Sequence, residues 1–289
     1  LYQASKAAGK PLAVVVNKID GENIDLGELL DSIVESFGNA CKPVNLPAGG
    51  GTAVLDCFTS PEGESDFGDP ASLHESLVEN IIESDEEMME AYLGGEEISQ
   101  EKLSAAFGSA MVEGTLIPVF FTNARDAVGV DAFMDAVTAY FPNPAMVQPK
   151  VPVTGTGEEA EAVSCAVDPD KPFIAQAFKI TTDPFVGKLA LVRVLQGTAV
   201  ADTEYALSED KKTTKIGHLF SVQGDKTEEM DAAVAGDIFA LAKVEEISAG
   251  DILHEEEIPM TMERVVLPTP MYALAVTPQK RGDEKKISE

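Results

Sequence analysis

Short apolar runs and helical periods alternate in the first part of the chain. Residues 12–16 form an apolar run ending at Asn17, which is typical of a strand buried on both faces of a parallel sheet. From Asp25, a candidate N-cap, apolar residues recur every three or four positions as far as Gly38, which predicts a helix. A strand followed by a helix favours an α/β fold.

The pattern changes between residues 46 and 114, which we interpret as an insertion. Three glycines at 49–51 predict a turn, and a second helix is predicted from a Ser99 cap to Gly114. Between the turn and that helix we predict one acidic helix, whose apolar stripe consists of Leu77, Ile81, Met88 and Tyr92. The α/β pattern then resumes with a buried strand at 117–121 and a helix at 130–140.

The second half of the chain has the period of β-strands. Residues 145–171 lack periodicity and are interpreted as a linker. Strand-like runs follow at 174–181, 189–195, 203–207, 215–222 and 238–244, which predicts a small antiparallel barrel. The string Ala-Gly-Asp-Ile occurs at 235–238 and 249–252 and predicts a repeated turn-then-strand element; residues 271–276 predict one strand of a further domain.

The composition limits the number of domains and the kinds of partner that the chain can have. The 289 residues, 44% of them hydrophobic, are enough for two or more domain cores. With 21 basic against 50 acidic residues the net charge is −29, so any contact with RNA is expected to be local. Cys41, Cys57 and Cys165 contain no C-x-x-C pair, which predicts neither a disulfide framework nor a zinc site and favours a reducing cytoplasm.

The ends of the chain lead us to expect an internal piece of a longer protein. It begins at Leu1 rather than Met and stops in a charged stretch, so we expect both ends to continue in a longer protein. The sequence has no apolar run of about 18 residues and no signal-peptide pattern, which predicts no membrane span and no export.

The sharpest candidate chemistry is Asn17-Lys18-Ile19-Asp20, directly after the first predicted strand, at the edge where open α/β sheets bind ligands. The Asp20 carboxylate can accept two parallel N–H bonds from guanine, and the Asn17 amide offers a donor and an acceptor. The Lys18 stem can lie along the base. The alternative reading is a polar turn after a strand.

A second polar group, Asn123-Ala124-Arg125, follows the strand at 117–121 at the equivalent edge of the same sheet. Two such strand ends together predict a pocket, whereas alone this segment reads as a solvated loop. The sequence has no Gly-x-x-x-x-Gly-Lys-Ser/Thr loop for phosphate, so we expect the chain by itself to be inactive in hydrolysis.

These segments resemble translation elongation factor G. The resemblance rests on LYQASKAAGKPLAVVVNKID at 1–20, ESDEEMMEAYLGGEEIS at 83–99, the loop at 121–130, residues 178–198 and PMYALAVTPQKRGDEKKISE at 270–289. In the family, the Asn and Asp of the first motif read guanine and the Lys packs over it, which carries to Asn17, Asp20 and Lys18. The last guanine-contacting loop matches Asn123, Ala124 and Arg125, with Asn in place of the usual Ser.

The resemblance implies an architecture. Residues 1–45 and 115–144 would be the C-terminal half of a P-loop-type GTPase domain of α/β class, with an α-rich insertion at 46–114. A linker at 145–171 would lead to an all-β barrel at 172–266 and to the start of an α+β domain at 267–289.

The resemblance also implies a function for the full-length protein: a cytoplasmic, monomeric GTPase that binds the ribosome through its RNA and proteins and promotes GTP-dependent translocation of tRNA and mRNA. The tRNA–mRNA complex would be an indirect partner. GTP or GDP would be the ligand, with Mg²⁺ held by residues outside this chain, and no membrane would be involved. The alternatives are a paralog in ribosome recycling or antibiotic protection, and a non-catalytic ribosome-binding module. For that module, basic residues to test are Lys188, Arg193, Lys211, Lys212 and Lys215.

Overall fold

The chain divides into two compact units, Leu1–Pro149 and Lys150–Glu289. The computed structural model describes residues 1–147, 152–154, 161–183, 187–208, 212–224, 226–242, 244–255, 260–262 and 269–278. Each unit has its own buried hydrophobic residues.

The first unit is a mixture of helices and strands, as its sequence pattern predicts. Its helices are α1 (Tyr2–Ala7), α2 (Leu26–Phe37), α3 (Pro70–Ile82), α4 (Glu86–Leu93), α5 (Gln100–Glu113) and α6 (Val130–Tyr140). Its strands are β1 (Val14–Asn17), β2 (Cys41–Pro43), β3 (Asn45–Ala48), β4 (Ala53–Asp56) and β5 (Ile117–Thr122).

Strands β1, β5 and β2 form a parallel sheet with β5 in the centre. Every residue of β5 is buried, which confirms the predicted buried strand. Successive side chains of β5 enter two different cores, since Phe120 packs with the insertion helices and Phe121 packs against the side that carries α2. Strand β1 was predicted to be buried on both faces, and this is wrong. It is the outer strand of the described sheet, and Val15 is 44% exposed.

The predicted helix ends of α2 and α5 are confirmed. The Asp25 carboxylate accepts a hydrogen bond from the Glu28 N–H at 3.0 Å, and α2 ends before Gly38. The Ser99 hydroxyl accepts one from the Lys102 N–H at 3.4 Å, and α5 ends at Gly114 in the left-handed conformation.

The single acidic helix expected between them is wrong, because the chain forms two helices there. Helix α3 stops at Ile82, and α4 begins after Asp85, whose carboxylate accepts a hydrogen bond from the Met88 N–H at 3.0 Å. The apolar stripe continues across this break, so periodicity alone did not reveal it. Asp85 supplies the physical cause, since it caps a new helix.

Strands β3 and β4 form an antiparallel hairpin, with Asn45 opposite Asp56 and Ala48 opposite Ala53. The predicted glycine turn joins them, and all three glycines at 49–51 have positive φ angles. Asn45, at the start of β3, is itself buried and bonded to the end of β5.

The second unit is built of strands. They are β6 (Val153–Thr154), β7 (Glu161–Ala162), β8 (Ile174–Asp183), β9 (Gly187–Gln196), β10 (Thr198–Val200), β11 (Thr203–Leu207), β12 (Lys212–Ile216), β13 (Leu219–Gln223), β14 (Lys226–Met230), β15 (Ala232–Val234), β16 (Ile238–Ala242), β17 (Ile252–His254) and β18 (Met260–Thr261). Eight of them pair antiparallel in the order β12-β11-β17-β8-β9-β16-β13-β14.

This sheet curls around one core, in which Tyr205, Phe173 and Phe239 are the largest fully buried side chains. Its end strands β12 and β14 do not pair with each other in the described part of the chain, so the predicted barrel is observed as a half-barrel. The predicted strand at 215–222 is in fact two strands, because Gly217 and His218 separate β12 from β13. Strand β14 was missed, since four of its five residues are exposed and give no apolar signal.

The Ala-Gly-Asp-Ile repeat is the same turn used twice, as predicted. Gly236 and Gly250 both have φ of 98°. The carboxylate of Asp237 accepts a hydrogen bond from the Val234 N–H at 2.9 Å, and that of Asp251 accepts one from the Ser248 N–H at 2.8 Å. Each turn leads directly into a strand, β16 in the first case and β17 in the second.

Two of the remaining segments differ from their sequence patterns. Within the predicted linker, β6 and β7 pair with each other, and β6 also pairs with β18. The strand expected at 271–276 does not form: residues 269–278 have no regular structure, and their large apolar side chains are exposed. Among all described residues, no helix has the length and apolar character that crossing a membrane requires.

Candidate functional site

The parallel pairing of β1 and β5 brings the two polar segments together. Asn17 is in register with Thr122, so both strands end at the same edge of the sheet. The Ile19 N–H donates to the Thr122 carbonyl at 3.3 Å, and the Ile19 side chain is buried. Asn17, Lys18 and Asp20 on either side of it are exposed. Ile19 therefore anchors a loop whose polar residues face outward.

A direct hydrogen bond joins the two loops. The Ala124 N–H donates to Oδ1 of Asn17 at 2.9 Å, across 107 residues of sequence. The Thr122 hydroxyl lies 3.5 Å from the same oxygen, which is at the limit of a hydrogen bond. The Asn17 amide thus connects the end of β1 to the backbone of the second loop.

The first loop makes a tight turn with an unusual backbone. Lys18 has φ of 65°, a left-handed conformation that is uncommon for a residue with a side chain. The Gly21 N–H donates to the Lys18 carbonyl at 3.1 Å and closes the turn. Strained residues of this kind persist where the surrounding structure fixes them, and they concentrate at functional sites. The Asp20 carboxylate is exposed and accepts no hydrogen bond from the described residues.

Asn123 organises the second loop from within. Its side chain is 2% exposed, Nδ2 donates to the Asp126 carboxylate at 2.8 Å, and Oδ1 accepts from the Arg125 N–H at 3.2 Å. Backbone bonds with Val128 at 2.9 and 3.0 Å close the loop. The Asn123 side chain is therefore engaged inside the loop, while Ala124 and Arg125 are exposed.

Sequence analysis did not single out Thr122 and Asp126. The Asn-x-x-Asp spacing of Asn123 and Asp126 was the available signal, because such residues commonly close a turn through their side chains. Nothing in the local sequence marked Thr122, whose role depends on the register with β1.

Together the two loops offer a carboxylate, a side-chain amide and a lysine at one sheet edge, while the Ala124 N–H is engaged by Asn17. A carboxylate accepts a pair of N–H donors, and a side-chain amide N–H donates to a carbonyl oxygen. Guanine has an N–H pair and a carbonyl on neighbouring positions of its ring, so groups of these kinds complement that base. The described residues contain no group of three or more His, Cys, Asp or Glu side chains placed to hold a metal ion.

The basic residues of the second unit are partly engaged with the chain itself. Lys188 donates to the Glu245 carbonyl, and the Lys215 ammonium lies 3.1 Å from the Asp202 carboxylate. Arg193 is half-buried in β9. Lys211 and the side chain of Lys212 lie outside the described residues, so their suggested role in contacting RNA stays a prediction.

The histidines and cysteines occupy separate places. His74 Nδ1 lies 2.9 Å from the Cys57 carbonyl, His218 pairs with Glu229, and His254 is buried in β17. All three cysteines are free thiols. Burial, with a smaller effect of the neighbouring Asp56 charge, raises the pKa of the Cys57 thiol to about 12, so this group is protonated at neutral pH.

Two comparisons with known proteins bear on these units. Residues 172–256 match the family model for elongation factor G domain 2. A crystal structure of the protein ttk003000868 from Thermus thermophilus matches 99% of this chain with a TM-score of 0.77 and 25% sequence identity. The match covers 43% of the Thermus protein, so this chain spans less than half of its length.

The second unit is thus similar to domain 2 of elongation factor G, and the whole chain is similar in fold to the Thermus protein. Both matches support an elongation factor G-like chain, as the sequence motifs indicate.

Proposed function

We propose that the complete protein is an elongation factor G-type GTPase that binds the ribosome in the cytoplasm and promotes GTP-dependent movement of tRNA and mRNA. In this chain, the two loops that follow β1 and β5 would bind the guanine base. The observation that carries the proposal is the hydrogen bond between Asn17 Oδ1 and the Ala124 N–H, because it holds two polar loops at one sheet edge.

Each residue has a distinct role in this proposal. The Asp20 carboxylate accepts the two N–H groups of guanine, and the exposed stem of Lys18 lies along the base. The Ala124 N–H donates to Asn17 Oδ1, so Asn17 holds the two loops at their separation, and the Asn17 Nδ2 group would donate to the base carbonyl. Asn123 shapes the second loop from its buried position, and Arg125 borders the pocket with an exposed side chain.

Phosphate and Mg²⁺ would be held elsewhere in the complete protein. The sequence has no phosphate-binding glycine loop followed by Lys and Ser or Thr, and no metal-binding cluster occurs in the described part. GTP would supply the bond that is hydrolysed. The residues of this chain would bind and orient the base, so they fit the guanine end of the ligand and take no part in the transfer step.

Asp20→Asn in the complete protein tests base recognition. The substitution removes the charge that accepts the two N–H groups, and a hydrogen bond to a charged group contributes about 1.5–3 kcal/mol. We expect GDP to bind at least tenfold more weakly and xanthosine diphosphate to bind more tightly, measured by titration calorimetry. Glu22→Gln, which neutralises a neighbouring exposed carboxylate, should leave both affinities unchanged. An unaltered preference for guanosine in Asp20→Asn would refute the assignment.

A ribosome assay tests the remainder of the proposal. The complete protein should sediment with ribosomes, hydrolyse GTP faster in their presence and advance bound tRNA. Ribosome binding and stimulated hydrolysis without tRNA movement would indicate a paralog in recycling or antibiotic protection. Sedimentation without saturable binding of guanosine nucleotide would indicate a non-catalytic ribosome-binding module.

A further inference from the structure

The β3–β4 hairpin lies directly behind the loop that contains Asp20. A Cβ atom on Gly51 would lie 2.4 Å from the Ile19 carbonyl oxygen, 2.8 Å from its carbon and 3.0 Å from the Asp20 nitrogen. Only glycine permits so close an approach of two backbones. The turn of the hairpin is therefore in direct contact with the backbone from which the Asp20 side chain extends.

A single carboxylate fixes this turn. The N–H groups of Gly50 and Gly51 donate to the two oxygens of Asp66 at 2.8 and 2.9 Å. The Asp66 N–H in turn donates to the Pro47 carbonyl at 2.8 Å, which ties Asp66 to β3. Hydrogen bonds to a charged acceptor are stronger than neutral ones, so the turn has little freedom to move away from Ile19.

The same hairpin also contacts the second loop. Asn45, 3% exposed, donates from Nδ2 to the Phe121 carbonyl at 3.1 Å and accepts from the Phe121 N–H at 2.7 Å. On β4, the Val54 side chain packs beside Gly129, where a Cβ atom would lie 3.2 Å from Val54 Cγ1 and 2.6 Å from the Phe121 carbonyl. The hairpin thus contacts the backbone on both sides of residues 122–128.

We propose that the β3–β4 hairpin is the positioning element of the guanine site, with Gly51 and Asp66 as positioning residues that set the placement of Asp20. This inference rests on the proposed function. It adds that the hairpin, which belongs to the segment interpreted as an insertion, determines how well guanine is distinguished from other bases. None of these residues contacts the base itself, and their effect passes through the backbone at Ile19.

Gly51→Ala and Gly50→Ala in the complete protein form a matched pair. Both glycines have positive φ, 78° and 69°, and both N–H groups bond to Asp66. A Cβ on Gly50 meets no atom within 4 Å, whereas one on Gly51 collides with the Ile19 carbonyl. The pair therefore shares the backbone strain of alanine at positive φ and differs in the displacement of the Asp20 loop.

The measurement is the affinity for GDP and for inosine diphosphate, which lacks one of the two N–H groups facing the carboxylate. For Gly51→Ala we expect GDP affinity to fall at least tenfold relative to Gly50→Ala, and the GDP-to-inosine preference to fall towards one. A variant that is only less stable would lose both ligands equally, so an unchanged preference in Gly51→Ala would overturn the inference.

Asp66→Ala provides a second variant that introduces no collision. Loss of the carboxylate frees the turn, and we expect the GDP-to-inosine preference to fall about threefold to tenfold, whereas Glu64→Ala, at a neighbouring exposed acid, should leave it intact. A normal preference in either Asp66→Ala or Gly51→Ala, in a protein whose preference depends on Asp20, would overturn this inference alone. If the unmodified protein shows no preference for guanine, both the proposed function and this inference are overturned.

Discussion

Asn45→Ala removes the side chain that joins the hairpin to the central strand. Asn45 is buried at 3% exposure and satisfies both the N–H and the carbonyl of Phe121, at 2.7 and 3.1 Å. Strand β2 ends at Pro43, and the Val44 N–H makes the last backbone bond on that side of β5, to Val119. Beyond that point the Asn45 amide takes the place of a neighbouring strand.

The expected magnitude follows from the two groups that lose their partner. A buried donor or acceptor left unsatisfied costs about 1–3 kcal/mol. Because the two groups are adjacent and a water molecule can relieve part of the loss, we expect the free energy of unfolding of the first unit to fall by about 2–4 kcal/mol.

Urea unfolding followed by circular dichroism at 222 nm is a suitable assay, since all helices of the described residues lie in the first unit. Asn39→Ala is the matched control, because Asn39 is exposed, and it should change stability by less than about 0.5 kcal/mol. Equal unfolding free energies for Asn45→Ala and Asn39→Ala would refute the assignment of Asn45 as the link between hairpin and sheet.

Two further predictions concern the two units separately. Gly197→Ala should cost the second unit more stability than Gly187→Ala, by about 1 kcal/mol or more. The measurement is amide exchange, which should be faster in β8 and β9 of the Gly197→Ala variant. Both glycines have positive φ, but only at Gly197 would a Cβ collide with backbone, 2.6 Å from the Lys171 carbonyl; equal exchange in the two variants would contradict this. In the first unit, the pKa of Cys57 is raised from 9.0 to about 12, so on raising the pH the thiol ionises in the unfolded chain before it ionises in the folded one. The stability that the Cys57 thiol contributes is therefore complete below pH 9 and is lost as the pH rises towards 12. The loss at pH 10 is about 1 kcal/mol, and Cys57→Ala should lack it when urea unfolding is compared at pH 8 and pH 10.

Local chemistry made part of this fold predictable. The Asp25 and Ser99 caps and the buried run at 117–121 depend on residues close in sequence, and the structure has them as predicted. The division between α3 and α4 was missed because the apolar stripe crosses it, although Asp85 was a visible cap. Strand β14 gave no signal, because an exposed strand at the end of a sheet needs few apolar residues.

The candidate site was likewise predictable in its local features and unpredictable in its long-range contacts. The polar residues after two predicted strands were visible in the sequence, and the parallel register of β1 and β5 brings them together. The contacts of the β3–β4 hairpin that support these residues were not visible in the sequence. Asn45 and Phe121 are 76 residues apart, and the approach of Gly51 to Ile19 depends on a hairpin whose position no local pattern specifies.

Amide hydrogen exchange of the complete protein, with and without saturating GDP, tests the proposed guanine site most directly. We predict slower exchange with GDP in peptides that cover residues 17–21 and 122–127, and unchanged exchange in the strands of the second unit. Saturable GDP binding that leaves both of these loops unprotected would contradict the assignment of the site.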